Sequence, residues 1–176
     1  EWNEHWETAG ASFTFISAGH ILGASSVVVK ESRNRVLFSG DLGRAHDPIL
    51  LPHTPAPPVD VIVMEATYGN RNRSGNLEKE LHSFLMTVSR EGRVGIIASF
   101  AVARAQTLVT LIHEFYERHP EEKVRVVFDS PMMKEANLVY QQFAHLTSRK
   151  ESLFTALESI DAIEFQRERE SLQRKK

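Results

Sequence analysis

From Asn76 onward the chain alternates between two hydrophobic periods, and that alternation predicts parallel strands joined by helices. Leu77, Leu81, Phe84, Leu85 and Val88 fall on one helical stripe, with Asn76 placed to cap it and Gly92 just past its end. The run Val94 to Phe100 then reads as a strand, Val102 to about Arg118 as a second amphipathic helix, and Val124 to Phe128 as another strand. A third helix is expected to begin at Ser130-Pro131, a capping residue followed by proline at the first helical position. Helix, strand, helix, strand, helix argues for right-handed crossovers, so residues 70 to 150 read as an α/β lobe.

The chain before that lobe is organised differently. Ser12 to Ile16, Ser25 to Lys30 and Arg35 to Ser39 read as short strands, the last two joined by the polar turn Glu31-Ser32-Arg33-Asn34. A proline-rich connection, Pro48 to Pro58, leads into Val59-Asp60-Val61-Ile62-Val63-Met64. That nearly continuous apolar run suits a strand covered on both faces. At the other end, Leu153, Phe154, Leu157, Ile160, Ile163 and Phe165 lie among charges, so part of the tail is expected to dock. Glu164 to Lys176 is expected to form a frayed, solvated end.

The longest apolar runs are strand-sized, far short of the roughly 20 residues a bilayer span needs, so no membrane segment is expected. The chain has no cysteine, which excludes disulfides and thiolate metal sites and favours a cytoplasmic location. A formal net charge of −2 gives no global basicity, so any contact with nucleic acid must be local or supplied by bound cations.

Two loops can carry chemistry. Ala18-Gly19-His20-Ile21-Leu22-Gly23-Ala24 follows the first of these strands, and Phe38-Ser39-Gly40-Asp41-Leu42-Gly43-Arg44 ends the third. Each sets a metal-capable side chain at a strand end, flanked by glycines that let the backbone turn tightly. Imidazole nitrogen and carboxylate oxygen are both zinc donors. One His and one Asp at this separation are weak evidence alone: His20 could be a loop cap, Asp41 a turn former and Glu65 a surface charge. His82, His113, His119 and His145 sit in or beside helical segments at no ligand-like spacing and read as surface residues, and His46 and His53 lie near the Asp41 loop.

The wording of these loops says more. AGHILGAS, then FSGDLGR, then VIVMEATYGNR resembles a block of the β-CASP nucleases of the metallo-β-lactamase superfamily, nearest the branch of the messenger-RNA 3′-end processing endonuclease. The resemblance continues through Ser99-Phe100-Ala101-Val102-Ala103-Arg104-Ala105-Gln106 and Phe128-Asp129-Ser130-Pro131-Met132. It implies an α/β fold: part of a metallo-β-lactamase αββα sandwich over residues 1–65, and the first part of the inserted β-CASP lobe, with parallel strands, over 66–176. It implies that His20 binds one zinc, that Asp41 bridges two, and that Glu65 orients a downstream histidine that protonates the leaving oxygen. Two zinc ions about 3.5 to 4 Å apart would activate a water for in-line attack at phosphorus, cutting RNA. Arg104, near a helix start, and Ser99 before it are the phosphate-side candidates. The family's glycine before that arginine is Ala103 here, which puts a close backbone approach to substrate in doubt.

The family's main zinc cluster, His-x-His-x-Asp-His, lies upstream of the matched block and does not occur in this chain; its further histidines lie downstream. The chain therefore reads as one slice of a longer protein, expected by itself to bind zinc weakly and to cut RNA slowly or not at all. Its exposed sheet edges favour a homodimer. Two other functions stay open: a non-catalytic paralogue acting as a scaffold in an RNA-processing complex, and a DNA-directed nuclease of the same fold.

Overall fold

The computed structural model describes residues 3–70 and 75–159, together with the backbone of residues 161–162. The fold is α/β, and the chain divides into two compact units, Glu1–Asn72 and Arg73–Lys176.

The first unit is a five-stranded sheet in the order β1 (His5–Thr8), β2 (Ala11–Ser17), β3 (Ser25–Glu31), β4 (Asn34–Phe38) and β5 (Val61–Val63). The three strands expected before residue 40 are present, with the turn after Glu31 where the polar residues put it. Patterning missed β1, whose four residues are all exposed and carry no alternation. It joins β2 through Ala9 and Gly10, both at positive φ (50° and 81°), as the type I′ turn of a two-residue hairpin requires. Neighbouring strands from β1 to β4 run antiparallel, whereas β5 lies parallel to β4 with Leu37 opposite Ile62. Ile16, Val28 and Leu37 form the buried cluster, Val28 directly facing Leu37 across the ladder, and Val59 packs against them. In the connection to β5, Asp47 Oδ1 accepts the N–H groups of Ile49 and Leu50 at 3.0 and 2.8 Å, and both of these apolar side chains are buried.

The expectation of a strand covered on both faces is corrected at β5. Val61, Ile62 and Val63 are each more than half exposed. A continuous apolar run signals a need for cover on both faces; it does not place the covering residues in the same stretch of chain.

The second unit holds α1 (Leu77–Arg90), α2 (Arg104–Arg118), β6 (Val127–Phe128), α3 (Pro131–Gln142), α4 (Lys150–Glu158) and β7 (Asp161–Ala162). The expected caps are in place. Asn76 Oδ1 accepts the Lys79 N–H at 3.1 Å, and the Ser130 side chain accepts from the Met133 N–H. Gly92 follows α1 in a left-handed conformation, φ +61°. Leu81 and Leu85 of α1 pack on Leu111, Ile112, Phe115 and Tyr116 of α2. The docking expected of the tail is made by α4, which buries Leu153 and Leu157. Just before it, the Arg149 guanidinium bonds Glu114 of α2 and, at 2.6 Å, Glu78 of α1. β6, the described part of the strand expected over Val124 to Phe128, runs parallel to β7, which the sequence did not predict, with α3 and α4 between them in sequence. Ile160, Ile163, Phe165 and the Glu164–Lys176 end lie outside the described residues.

Among the described residues one expected strand is absent: Val94 to Phe100 forms no ladder with any of them and leaves Val94, Ile96 and Phe100 largely exposed. Apolar composition favours an extended backbone, but a strand exists only where a neighbour takes up its hydrogen bonds.

Ala103, just before α2, is the conspicuous backbone strain. Its φ and ψ are 65° and −61°, and the Arg104 N–H reaches back to the Val102 carbonyl at 2.9 Å, which makes a γ-turn of the rare, strained hand. Glycine adopts this conformation without a Cβ penalty, so Ala103→Gly is expected to stabilise the chain by about 1 kcal/mol, the strain relief exceeding the loss of one buried methyl. The check is a rise in urea midpoint with an unchanged slope; a fall would mean that the turn carries no strain.

Candidate functional site

The loop after β2 is closed at its base, where the Ala18 N–H donates to the Ala24 carbonyl at 3.0 Å, and the Ala24 N–H returns to the Ile21 carbonyl at 3.0 Å. Gly19 turns at φ +64° and is buried, which lifts His20 to an exposed position. A Cβ on Gly19 would meet the His53 backbone nitrogen at 2.7 Å, so the chain after Leu51 runs directly against it. The Thr54 N–H fixes that segment to the Ser17 carbonyl at 2.8 Å.

The loop after β4 crosses the first one. The Gly43 N–H donates to the Ala18 carbonyl at 2.9 Å, and a Cβ on Gly43 would fall 1.7 Å from the Gly19 carbonyl oxygen. Only two glycines allow so close a crossing, and it ties the His20 and Asp41 loops together as backbone. Asp41 is exposed, two residues from the crossing.

Glu65, just after β5, closes the same corner. Its Oε1 accepts the Leu42 N–H and its Oε2 the Thr67 N–H, both at 3.0 Å. These donors hold its carboxyl below the usual carboxylate range, the Leu42 N–H contributing most, then Thr67, with a smaller effect of nearby His20 and an opposing cost of burial. A depressed pKa means that the tie to the Asp41 loop is fully present above the unfolded carboxylate's range and is lost as pH falls through the folded value. Both oxygens are taken by backbone amides, so an imidazole N–H would use a second lone pair. The Glu65 N–H donates in turn to Ser39 Oγ at 3.0 Å.

His20, Asp41 and Glu65 thus lie on three neighbouring loops of the first unit. His20 and Asp41 are zinc-type donors but number two, whereas a catalytic zinc takes about three from protein. Among the described residues no three His, Cys, Asp or Glu side chains come together as a metal site. The donors fit part of such a site. His46 and His53 are exposed.

Ser99 and Arg104 belong to the second unit. Arg104 opens α2, whose N-terminus has no side-chain cap, and its guanidinium lies 5.0 Å from the centre of the Phe100 ring. Ser99 Oγ donates to the Phe100 carbonyl at 3.2 Å. Of the other histidines, His82 and His119 lie against the Phe115 ring at 4.9 and 4.8 Å between centroids. Sequence reading missed Ser39 and the Gly19–Gly43 crossing; the available signals were paired glycines in both loops and serine at a strand end among apolar residues.

No protein-family model matches the chain. It is 36% identical over 143 residues to the endoribonuclease YSH1 of Mycosarcoma maydis, covering 77% of this chain and 16% of that protein. It is 31% identical over 145 residues to the endoribonuclease ysh1 of Schizosaccharomyces pombe, and 31% over 145 residues to the cleavage and polyadenylation specificity factor subunit 3 of Dictyostelium discoideum. Each of these two matches covers 80% of this chain and 19% of the relative, so the chain spans less than a fifth of the length of these curated proteins. No described helix is long and apolar enough to cross a membrane.

Proposed function

We propose that this chain belongs to the β-CASP family, as its likeness to those proteins supports, and that it contributes part of the active site of a zinc-dependent endoribonuclease of the messenger-RNA 3′-end processing type. His20 would hold one zinc, Asp41 would bridge two, and Glu65 would orient a histidine supplied from elsewhere. Two zinc ions there would supply an activated water and positive charge for the scissile phosphate. Arg104 and Ser99 would hold the RNA backbone through its phosphates. The observation that carries this reading is the Gly19–Gly43 crossing, which ties the two metal-donor loops together beside Glu65. A cytoplasmic location, favoured by the lack of cysteine, belongs to the same proposal.

The 176-residue chain tests the ligand count directly. With two donors it should bind zinc weakly in a calorimetric titration and leave RNA uncut. His20→Ala should weaken that binding by more than about tenfold. Equal zinc affinity in the variant would remove His20 from the metal site, and cleavage by the pure chain that His20→Ala abolishes would mean that these donors suffice.

A further inference from the structure

We propose that Ser39, backed by Ser26, is a positioning residue that fixes the Asp41 loop against Glu65; this deepens the endoribonuclease reading and rests on it. Ser39 is 4% exposed and stands where the parallel ladder of β4 and β5 stops. Its own N–H still donates to the Val63 carbonyl at 2.9 Å, as the ladder requires. In an unbroken parallel ladder the next donor, the Glu65 N–H, would go to the Ser39 carbonyl. Here it goes to the Ser39 hydroxyl at 3.0 Å, and the carbonyl accepts the Ser26 hydroxyl at 2.7 Å instead. A side chain has replaced the backbone as acceptor at the point where the chain turns away through Gly40, φ +56°.

The exchange closes a circuit. Ser39 Oγ accepts from the Glu65 backbone, the Glu65 carboxylate accepts the Leu42 N–H at 3.0 Å, and the covalent chain from Ser39 to Leu42 completes the ring. Asp41 lies inside that ring, held from both sides. The hydroxyl also donates to the Gly40 carbonyl at 2.7 Å, so one oxygen serves as donor and acceptor in a buried place. Serine and threonine alone provide that with a short side chain. Alanine would strand the Glu65 N–H and the Gly40 carbonyl and would free the Asp41 loop from β5. Ser26, also 4% exposed, occupies the Ser39 carbonyl and so keeps the Glu65 N–H directed to the hydroxyl.

The test compares Ser39→Ala, Ser39→Thr and Ser26→Ala in the full gene product, reading RNA cleavage and amide hydrogen exchange. Ser39→Ala is expected to lower kcat about a hundredfold with KM unchanged, the signature of a misplaced catalytic loop. The Leu42 and Glu65 amides should exchange about tenfold faster while Val28 in the ladder stays protected. Ser39→Thr, which keeps the oxygen, should restore both. Ser26→Ala should lower kcat about tenfold with the same exchange pattern, and it decides the matter if Ser39→Ala does not fold. Full kcat in Ser39→Ala, or equal damage from the alanine and threonine variants, would overturn the positioning role while the nuclease reading stood. A wild-type protein that cuts no RNA would take both down.

Discussion

Gly43→Ala is expected to cost the first unit about 3 kcal/mol and to separate the two candidate metal loops. The added methyl would lie 1.7 Å from the Gly19 carbonyl oxygen, 2.1 Å from its carbon and 2.8 Å from the His20 nitrogen. All three are backbone atoms, so no rotamer change relieves the overlap and the chain itself must move. Gly43 is not among the residues at positive φ, so the penalty is steric and not conformational. Gly23→Ala is the matched control, since Gly23 turns at φ +87° with open space around its Cβ position. That control should lose only about 1 kcal/mol, the ordinary penalty of a left-handed alanine. Urea unfolding followed by circular dichroism gives both numbers, and exchange at the Gly43 amide reports the bond to Ala18. Equal costs for the two variants would mean that the loops do not cross as described.

The second large effect lies in the other unit, where Phe115→Ala should destabilise the chain by about 3 to 5 kcal/mol. Phe115 is 1% exposed and fills the space between α1 and α2. Three further rings, His82, Tyr116 and His119, lie 4.9, 5.6 and 4.8 Å away between centroids, so truncation removes their shared contact surface as well. Phe115→Leu, which keeps most of the volume, should recover more than half of the loss. A cost below about 1 kcal/mol for the alanine variant, read from the urea midpoint, would mean that the α1–α2 core is not packed around this ring.

Helix ends were the most legible part of this chain, because a cap is a local event. Asn76 and Ser130 each needed only an N–H three residues on. Helix α4 was harder to read: its nine residues show few helical repeats, and Leu153 is buried by tertiary packing. Val94 to Phe100 misled for the opposite reason, since its composition is that of a strand and its pairing depends on neighbours that composition does not describe. In the site, His20, Asp41 and Glu65 stood out through the wording of their loops. How those loops meet did not, because two glycines in contact leave no hydrophobic period to read. Ser39 was equally hidden, its role depending on a ladder that breaks at β5, far away in sequence.

The His20 and Asp41 loops are proposed as parts of one metal site in an RNA-cutting enzyme. Metal analysis and RNA cleavage of the full gene product, beside the same protein carrying Asp41→Ala, test that proposal most directly. About two zinc ions per protein and cleavage of RNA are expected in the wild type, with both lost in the variant. A wild-type protein that holds no zinc and leaves RNA intact, or an Asp41→Ala protein that retains both properties, would contradict the proposal.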